Sequence, residues 1–332
     1  MSIDTRIEAI RLLSDGHWHS GQDLARVLGI SRAAVWQRLQ ALAEWGLELH
    51  AVRGRGYRLA QPLELLDVTE IRRHLSADAC QRLASIDLYP VLDSTNAWLM
   101  VQPGDGEARL CLAEYQTAGR GRRGRDWRSP FGANLYLSLA WHFAEMPSKF
   151  SALGLVIGVS LAEALAALGA SGVGLKWPND LLWQGRKLAG ILIEHRGEGG
   201  GPARVVVGVG LNLSMTAAQA ENIGQPWTTL AEVLHADSRE LPGRNVLSAS
   251  IVDALVRALD EFSAQGFTDI ARRWMKHDLT EGKSVNLEHD GQVISGIARG
   301  IDDDGALLLE VAGRTQRFLS GDLSLRLASG AT

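Results

Sequence analysis

The first 60 residues carry an apolar pattern that changes from helical spacing to strand alternation. Apolar side chains recur every three or four residues in three successive segments, the third covering residues 32–45. Ser20 and Ser31 precede the second and third segments, where hydroxyl side chains cap helices. Residues 47–52 and 56–59 then flank the basic tip Arg53-Gly54-Arg55. Three helices and a hairpin predict a winged helix-turn-helix.

The middle of the chain mixes strand-like and helix-like apolar patterns. Strands are predicted at residues 86–91, 110–115, 135–141, 188–195 and 205–213, and helices at residues 68–75, 95–101, 150–168, 247–264 and 268–277. The most apolar stretch, residues 152–168, is too short and too mixed for a membrane span, so a buried helix is predicted there. This pattern predicts an α/β domain with a mixed sheet.

In the last part of the chain, short strand-like segments follow one another closely, with turns between them. Brief strands are predicted at residues 284–287, 293–298, 306–311 and 315–318, separated by turns. A small β-barrel is the natural closure for so few short strands. The prediction is an α+β protein of three domains, with boundaries at residues 1–65, 66–277 and 278–332.

Composition limits the possible classes of protein. The net charge of −4 gives no global reason to expect nucleic acid or an acidic membrane as partner, so any basic surface must be local. Cys80 and Cys111 have no metal or redox spacing, which favours a reduced, cytoplasmic setting. The N-terminus lacks the basic-then-apolar pattern of a signal peptide.

Four arginines and three glycines fill residues 119–125, a segment that we name the arginine loop. Glycine lets the backbone approach a ligand, and guanidinium groups bind phosphate or carboxylate through paired hydrogen bonds. The glycine spacing also matches a dinucleotide fingerprint, but no apolar helix follows, which argues against that interpretation. The loop is predicted to close over an anion and to be mobile before one binds, because like charges repel. A solvated basic loop is the alternative.

Two further segments carry polar residues beside predicted elements. Asn179 and Asp180, in a turn that Pro178 fixes, could hydrogen-bond a ribose or hold magnesium, and Lys187 opens the next strand. Asp93-Ser94-Thr95-Asn96 precedes an apolar helix, where capping and ligand binding are compatible. The plainer alternatives are surface lysines beside a turn and a helix cap alone.

The first domain is locally basic. Between residues 26 and 58, six arginines face only two glutamates. Arg32 and Gln37 could reach base edges from the third helix, and Arg53 and Arg55 could contact phosphate or the minor groove. Because this excess of positive charge is modest, DNA binding would need a dimer. A winged helix used for protein contacts is the alternative.

Together these segments resemble the bacterial family that combines biotin–[acetyl-CoA-carboxylase] ligase activity with repression of the biotin operon. The resemblance covers nearly the whole chain, including residues 93–96, Gln116 with the arginine loop, and residues 176–180, 187–192, 208–212 and 321–326. It implies a winged helix-turn-helix, a central catalytic domain of class II synthetase type with a mixed sheet, and a small SH3-like β-barrel at the C-terminus.

The resemblance implies a two-step acyl transfer. Biotin and ATP form biotinoyl-5′-adenylate, and a carrier-protein lysine then attacks the adenylate. Lys187 and Arg122 would offset the negative charge that the two substrates bring together, and Asp180 is the candidate for steering the incoming lysine or accepting its proton. The implied cofactors are ATP, Mg²⁺ and biotin, whose adenylate is also the corepressor. No metal site made of protein ligands is implied.

The resemblance also implies three sets of contact residues. Biotin contacts are expected from Ser94, Thr95, Asn96, Gln116, Gly119, Arg120, Gly121, Arg122 and Lys187. ATP and adenylate contacts are expected from Arg122, Arg125, Trp127, Asn179, Asp180, Asn212 and Trp227, the last closing a second loop over residues 215–227. DNA contacts are expected from Gly21, Ser31, Arg32, Ala33, Ala34, Gln37, Arg38, Arg53 and Arg55.

The implied partners are the biotin carboxyl carrier protein of acetyl-CoA carboxylase, operator DNA and, with adenylate bound, a second copy of the chain. Carrier protein would compete for the dimer surface, and no membrane partner is expected. One departure concerns Asp322, which stands where the family commonly has Glu. Two other functions stay open: a biotin-sensing transcription factor without catalysis, and a lipoate–protein ligase.

Overall fold

The N-terminal part of the protein is a three-helix module closed by a hairpin, in a computed structural model that describes residues 3–104, 106–197, 201–289, 292–319 and 323–327. Its elements are α1 (Ile3–Leu13), α2 (Gly21–Val27), α3 (Arg32–Gln40), β1 (Leu49–Val52) and β2 (Gly56–Leu59). The Ser20 and Ser31 hydroxyls accept backbone hydrogen bonds at the starts of α2 and α3, so both predicted caps are confirmed. The predicted third helix was too long, because α3 gives way to a 3₁₀ turn over Ala41–Trp45.

The central domain is a seven-stranded sheet covered by helices. Its strands are β3 (Leu83–Leu92), β4 (Ala108–Gln116), β5 (Asn134–Phe143), β6 (Val173–Lys176), β7 (Asp180–Trp183), β8 (Arg186–Arg196) and β9 (Ala203–Asn212). Its helices are α4 (Val68–His74), α5 (Ala77–Arg82), α6 (Thr95–Val101), α7 (Leu153–Ala167), α8 (Leu230–Ala236), α9 (Arg244–Gln265) and α10 (Thr268–His277). The strand order is β3-β4-β5-β9-β8-β7-β6, with β3 and β4 parallel and the other neighbours antiparallel, which confirms a mixed sheet.

The two faces of this sheet pack against different helices. Leu110 and Val205 belong to the main core with α7 and α9, whereas Ala140 and Val206 pack with Leu99 of α6. Residues 150–167 are long and apolar enough to cross a membrane by composition, but 56% of that window is buried inside the fold. The predicted core helix is therefore confirmed.

Four short elements of the central domain were not predicted. Helices α5 and α8 have six and seven residues, and strands β6 and β7 have four residues each. Segments of this length complete no more than about two periods of a helical or alternating pattern, so tertiary packing decides their conformation. The β6–β7 pair matters for function, because its turn carries residues 177–179.

The C-terminal part is a five-stranded antiparallel sheet, in agreement with the predicted small β-domain. Its strands are β10 (Ser284–His289), β11 (Gln292–Ile301), β12 (Leu307–Val311), β13 (Arg314–Phe318) and β14 (Leu323–Leu327), in the order β13-β12-β11-β10-β14. Trp177, fully buried, donates from Nε1 to Gly305 O at 3.1 Å and so joins this sheet to the central domain. Asp322 lies outside the described residues.

The segment between the first two domains is anchored by a buried ion pair. Arg244 Nη1 lies 2.7 Å from Glu114 Oε2, with side chains only 7% and 5% exposed. The same guanidinium donates to Glu64 O, and Glu114 Oε1 accepts from Leu66 N at 2.6 Å. The connection is thus held by hydrogen bonds and differs from a flexible tether.

The helical module also contacts the central domain directly. The Trp45 and Phe131 rings stack with centroids 5.5 Å apart, and Phe131 N donates to Trp45 O at 2.9 Å. Gln219, in the loop after β9, donates from Nε2 to Gly46 O at 2.7 Å. The end of the 3₁₀ turn therefore touches two loops of the central domain.

Candidate functional site

One face of the central sheet is built from small residues beneath α6. Alternation along β9 puts Gly208 and Gly210 on this face, and β8 places Gly190 opposite Gly210. A methyl group on Gly208 would overlap the Asn96 amide, and one on Gly210 would overlap the Trp127 ring. Glycine at these positions therefore lets other groups approach the backbone of the sheet.

Buried hydroxyl and amide groups line one end of a cavity over this glycine floor. Thr95 N donates to Gln116 Oε1 at 2.9 Å, and Ser138 Oγ donates to Thr95 Oγ1 at 2.7 Å. Gln116 Nε2 donates to Ser129 Oγ at 3.1 Å. Ser94 caps α6, so the segment 93–96 combines the helix cap that was the plainer alternative with a place at the cavity. These groups satisfy one another and fix the polar end of the cavity for an uncharged polar ligand.

Two lysines and one carboxylate line the other end. Lys187 Nζ lies 2.6 Å from Asp180 Oδ1, and Lys176 Nζ lies 2.9 Å from Asp180 Oδ2. Burial alone would raise the pKa of Asp180, but the two ammonium groups outweigh burial and hold its pKa below the usual range. The ionised trio keeps one net positive charge, which favours an anion.

The backbone of the arginine loop forms a tight hairpin over the cavity. Gly121 N donates to Arg125 O at 2.7 Å, and Arg125 N donates back to Arg122 O at 3.3 Å. Arg123 and Gly124 occupy the tip with φ of +60° and +67°. Positive φ at both central residues is typical of a two-residue hairpin turn. Mobility before ligand binding stays a prediction.

Two arginines of this loop are held by the central domain. Arg120 Nη2 lies 3.2 Å from Glu194 Oε2. Arg122 Nη1 donates to Asn179 Oδ1 at 3.2 Å, and Asn179 in turn donates to Ile191 O. Asn179 therefore orients Arg122 at the wall of the cavity, beside the lysine end.

Trp127 closes the cavity from above the glycine floor. Its ring contacts Gly190 and Gly210, and its centroid lies 5.4 Å from Lys187 Nζ. The indole N–H is buried and has no hydrogen-bond partner within the described part of the chain. Trp127 thus supplies an apolar cover and one unpaired donor.

Most of the predicted ligand contacts meet at this cavity. Its wall includes Ser94, Thr95, Asn96, Gln116, Arg120, Gly121, Arg122, Arg125, Trp127, Asn179, Asp180 and Lys187. Gly119, Asn212 and Trp227 lie beside the wall instead. Asn212 Nδ2 donates to Lys187 O at 3.3 Å, and Trp227 bridges the Lys187 backbone. These two residues support the strand from which Lys187 projects.

Sequence patterns missed two polar neighbours of the cavity. Glu194 accepts from Asn96 Nδ2 at 2.8 Å, and Ser138 contacts Thr95 from β5. Alternation places Glu194 on the face of β8 that carries Gly190, so a charged residue at that position was the available signal. For Ser138 the signal was a hydroxyl inside an otherwise apolar strand.

Protein ligands for a metal are not assembled in the described residues, which contain no group of three or more His, Cys, Asp or Glu side chains suited to an ion. Asp180 and Asn179 were candidates for magnesium. Both Asp180 oxygens contact lysines, and the Asn179 oxygen accepts from Arg122. A magnesium ion that reached this site would therefore need ligands from the nucleotide itself.

The predicted DNA-contact residues divide into exposed and supporting positions. Arg32, Ala33 and Gln37 are exposed on one side of α3, while Ala34 and Arg38 are half-buried. The remaining positions are Ser31, which caps α3, Gly21, which packs against Tyr57, and Arg53 and Arg55, which are exposed at the hairpin tip. The Arg55 guanidinium also stacks 5.0 Å from the Trp18 ring.

Comparison with known families matches all three parts of the chain. The description "Biotin/lipoate A/B protein ligase family" matches residues 88–212. An "HTH domain" matches residues 5–58, and a "Biotin protein ligase C terminal domain" matches residues 280–326. The three matches follow the order of the three structural parts.

Individual relatives match between 72% and 97% of the chain. The chain is 43% identical to "Bifunctional ligase/repressor BirA" of Escherichia coli (strain K12), over 97% of both chains. It is 34% identical to "Biotin--[acetyl-CoA-carboxylase] ligase" of Mycobacterium tuberculosis, over 72% of this chain and 88% of that protein. Among solved structures, "Biotin protein ligase from Aquifex aeolicus in complex with biotin and ATP" superimposes with a TM-score of 0.62 and 27% identity, covering 74% of this chain and 100% of that chain.

Proposed function

The chain belongs to the family of bifunctional biotin ligase/repressor proteins, and we propose that it activates biotin with ATP and transfers it to a protein lysine. The observation that carries the proposal is the polarity of one cavity. Uncharged polar groups around Thr95 and Gln116 lie at one end, and Lys187, Lys176 and Arg122 lie at the other. Such a cavity suits a ligand with a polar ring and a carboxylate.

In the first step, a carboxylate oxygen of biotin attacks the α-phosphorus of ATP. A phosphorus–oxygen bond forms, the bond to the β-phosphate oxygen breaks, and pyrophosphate leaves. Lys187 and Arg122 offset the repulsion between the two anions and stabilise the charge that develops in the transition state. Asn179 supports this role by holding Arg122 through its side-chain oxygen.

In the second step, a neutral lysine amine attacks the acyl carbon, the bond from that carbon to the phosphate oxygen breaks, AMP leaves, and the amine proton passes to solvent. Asp180 was a candidate for accepting the amine's proton. Its lowered pKa makes it a weak base, so we assign it to fixing Lys187 and Lys176. Trp127 over the glycine floor would keep water from the reactive anhydride.

Biotin, ATP and Mg²⁺ are the proposed cofactors. The polar cluster of Ser94, Thr95 and Gln116 would contact the biotin ring, with Asn96 behind it. Arg125, Trp127 and Asn179 would contact the nucleotide, while Asn212 and Trp227 would act through the Lys187 backbone. Magnesium would arrive with the ATP phosphates and lessen their negative charge.

Biotin-dependent exchange of pyrophosphate into ATP tests the enzyme proposal. We expect exchange with biotin and little with lipoate. Exchange with lipoate alone would establish the lipoate–protein ligase instead. Absence of exchange with either acid, together with measurable biotin binding, would establish the biotin sensor without catalysis.

We also propose that the winged helix, residues 1–65, binds operator DNA as a dimer when the adenylate is bound. The central domain would span residues 66–277 and the C-terminal domain residues 278–332. The proposed acceptor is the biotin carboxyl carrier protein of acetyl-CoA carboxylase, in the cytoplasm. The exposed arginines of α3 and of the hairpin tip support this role.

Titration of operator DNA tests the DNA-binding proposal. Arg55→Ala should weaken binding of all sequences and lower its salt dependence, whereas Gln37→Ala should reduce discrimination between sequences. Sedimentation with and without biotin and ATP tests the dimer. Equal binding by a protein lacking residues 1–65 would contradict the assignment.

A further inference from the structure

Glu288 of the C-terminal domain lies against the tip of the arginine loop. Its Oε2 atom lies 2.9 Å from Arg123 Nη1 and 3.9 Å from Arg125 Nη2. Its Oε1 atom lies 3.4 Å from Arg326 Nη2 on the neighbouring strand β14. One carboxylate thus meets three guanidinium groups from two distant parts of the chain.

The backbone of the loop gives this contact a definite geometry. Arg123 has a φ of +60°, a conformation that residues with a Cβ atom rarely adopt. Its side chain leaves the hairpin tip toward the C-terminal sheet, where Glu288 accepts a hydrogen bond from Nη1. Arg123 therefore combines an unfavourable backbone conformation with an ion pair to Glu288.

Two other ion-pair and hydrogen-bond contacts of the loop lie at its base. Arg120 pairs with Glu194, and Arg122 donates to Asn179, both within the central domain. These contacts hold the base of the hairpin, whereas Glu288 contacts Arg123 and Arg125 near its tip. Unbalanced like charges this close would favour an open loop.

Glu288 also has a fixed position relative to the cavity. Trp177, fully buried beside Pro178, donates to Gly305 O and joins the C-terminal sheet to the turn that carries Asn179. Leu325 of β14 lines the same cavity. The Glu288 carboxylate therefore belongs to a sheet that is held against the central domain beside the cavity.

We propose that Glu288 is a positioning residue, a clasp through which the C-terminal domain holds the arginine loop closed over the cavity. The functional consequence rests on the proposed function, because the closed loop would retain the biotinoyl adenylate. The side chains of the Arg123–Glu288 pair are about 30% exposed, so added salt should weaken the pair.

Limited trypsin digestion of the ligand-free full chain tests the clasp independently of catalysis. We follow cleavage after Arg120, which is present in every variant, by mass spectrometry. Glu288→Gln should speed this cleavage about two- to fivefold. Added salt should speed it in the wild type and have less effect in Glu288→Gln.

Glu310→Gln is the matched control. Glu310 lies on β12 of the same sheet, 32% exposed, and its partner is Arg299 at 2.7 Å, not the loop. Its cleavage rate should equal that of the wild type. Equal rates in Glu288→Gln and Glu310→Gln would overturn the clasp.

Arg123→Met completes the test. If Glu288 acts through Arg123, the double variant should be cleaved no faster than the faster single variant. Additive effects would assign Glu288 a separate structural role. After incubation with biotin and ATP, Glu288→Gln should release the biotinoyl adenylate faster than the wild type. If the wild-type protein shows no pyrophosphate exchange, the proposed function is overturned, but the cleavage result still stands.

Discussion

Replacing Lys187 with Met removes one charge from the cavity and keeps the length of the side chain. The ammonium is fixed 2.6 Å from Asp180 and is 16% exposed, so solvent screens it only partly. At an effective dielectric constant of about 20, a cation about 4 Å from a reacting anion contributes about 4 kcal/mol. Lys176 remains and offsets some of this loss, so about 3 kcal/mol, or roughly a hundredfold in rate, is expected.

The assay is pyrophosphate exchange at saturating biotin and ATP, with urea unfolding to check that the variant folds. Arg186→Met is the matched control, because Arg186 precedes Lys187 on β8 and pairs with Glu232 outside the cavity at 2.7 Å. The control should exchange at the wild-type rate. A Lys187→Met enzyme within about threefold of the wild-type rate would refute the role given to this ammonium.

Three further predictions concern the scaffold of the site. Arg244→Met leaves the buried Glu114 carboxylate without its guanidinium, so the free energy of unfolding in urea should fall by about 3–5 kcal/mol; a negligible fall would contradict the anchoring role. Gly210→Ala places a methyl group where the Trp127 ring lies, so calorimetry should show roughly tenfold weaker biotin binding. Unchanged affinity would contradict a role for Trp127 in covering the ligand. Burial opposes ionisation of Asp180, but its two lysines outweigh burial and lower its pKa in the folded state. The ionised carboxylate therefore stabilises the fold at pH values above the usual pKa. This stabilisation is lost as pH falls through the lower pKa of the folded state. Wild type should therefore exceed Asp180→Asn in stability at neutral pH, and the gap, followed by circular dichroism during acid titration, should close below about pH 4; a constant gap would contradict the pKa shift.

Local sequence signals predicted the parts of this protein that depend on neighbours in the chain. Ser31 caps α3 and Ser94 caps α6, because a cap needs only its own helix. Composition alone predicts that the arginine loop closes over an anion. Its place over the cavity, beside Asp180 and Lys187, follows from the order of motifs in the family and not from periodicity.

Long-range pairing explains what the sequence did not predict. The roles of Glu194 and Glu288 depend on contacts with Arg120 and Arg123, which lie 74 and 165 residues away in the sequence and are brought close only by the fold. The pattern within a strand cannot specify such partners. Asp180 illustrates the same limit, because only the fold shows that both of its carboxylate oxygens contact lysines, which disfavours a role as base.

In the proposed function, one cavity forms and retains biotinoyl-5′-adenylate. In the most direct measurement, the protein is incubated with biotin and Mg²⁺-ATP, and free ligand is then removed. The protein is denatured, and the small molecules that it releases are identified by mass spectrometry. We predict about one biotinoyl-5′-adenylate per chain, lost on adding a carrier protein that gains one biotin on a lysine. Recovery of unreacted biotin and ATP alone would contradict the claim.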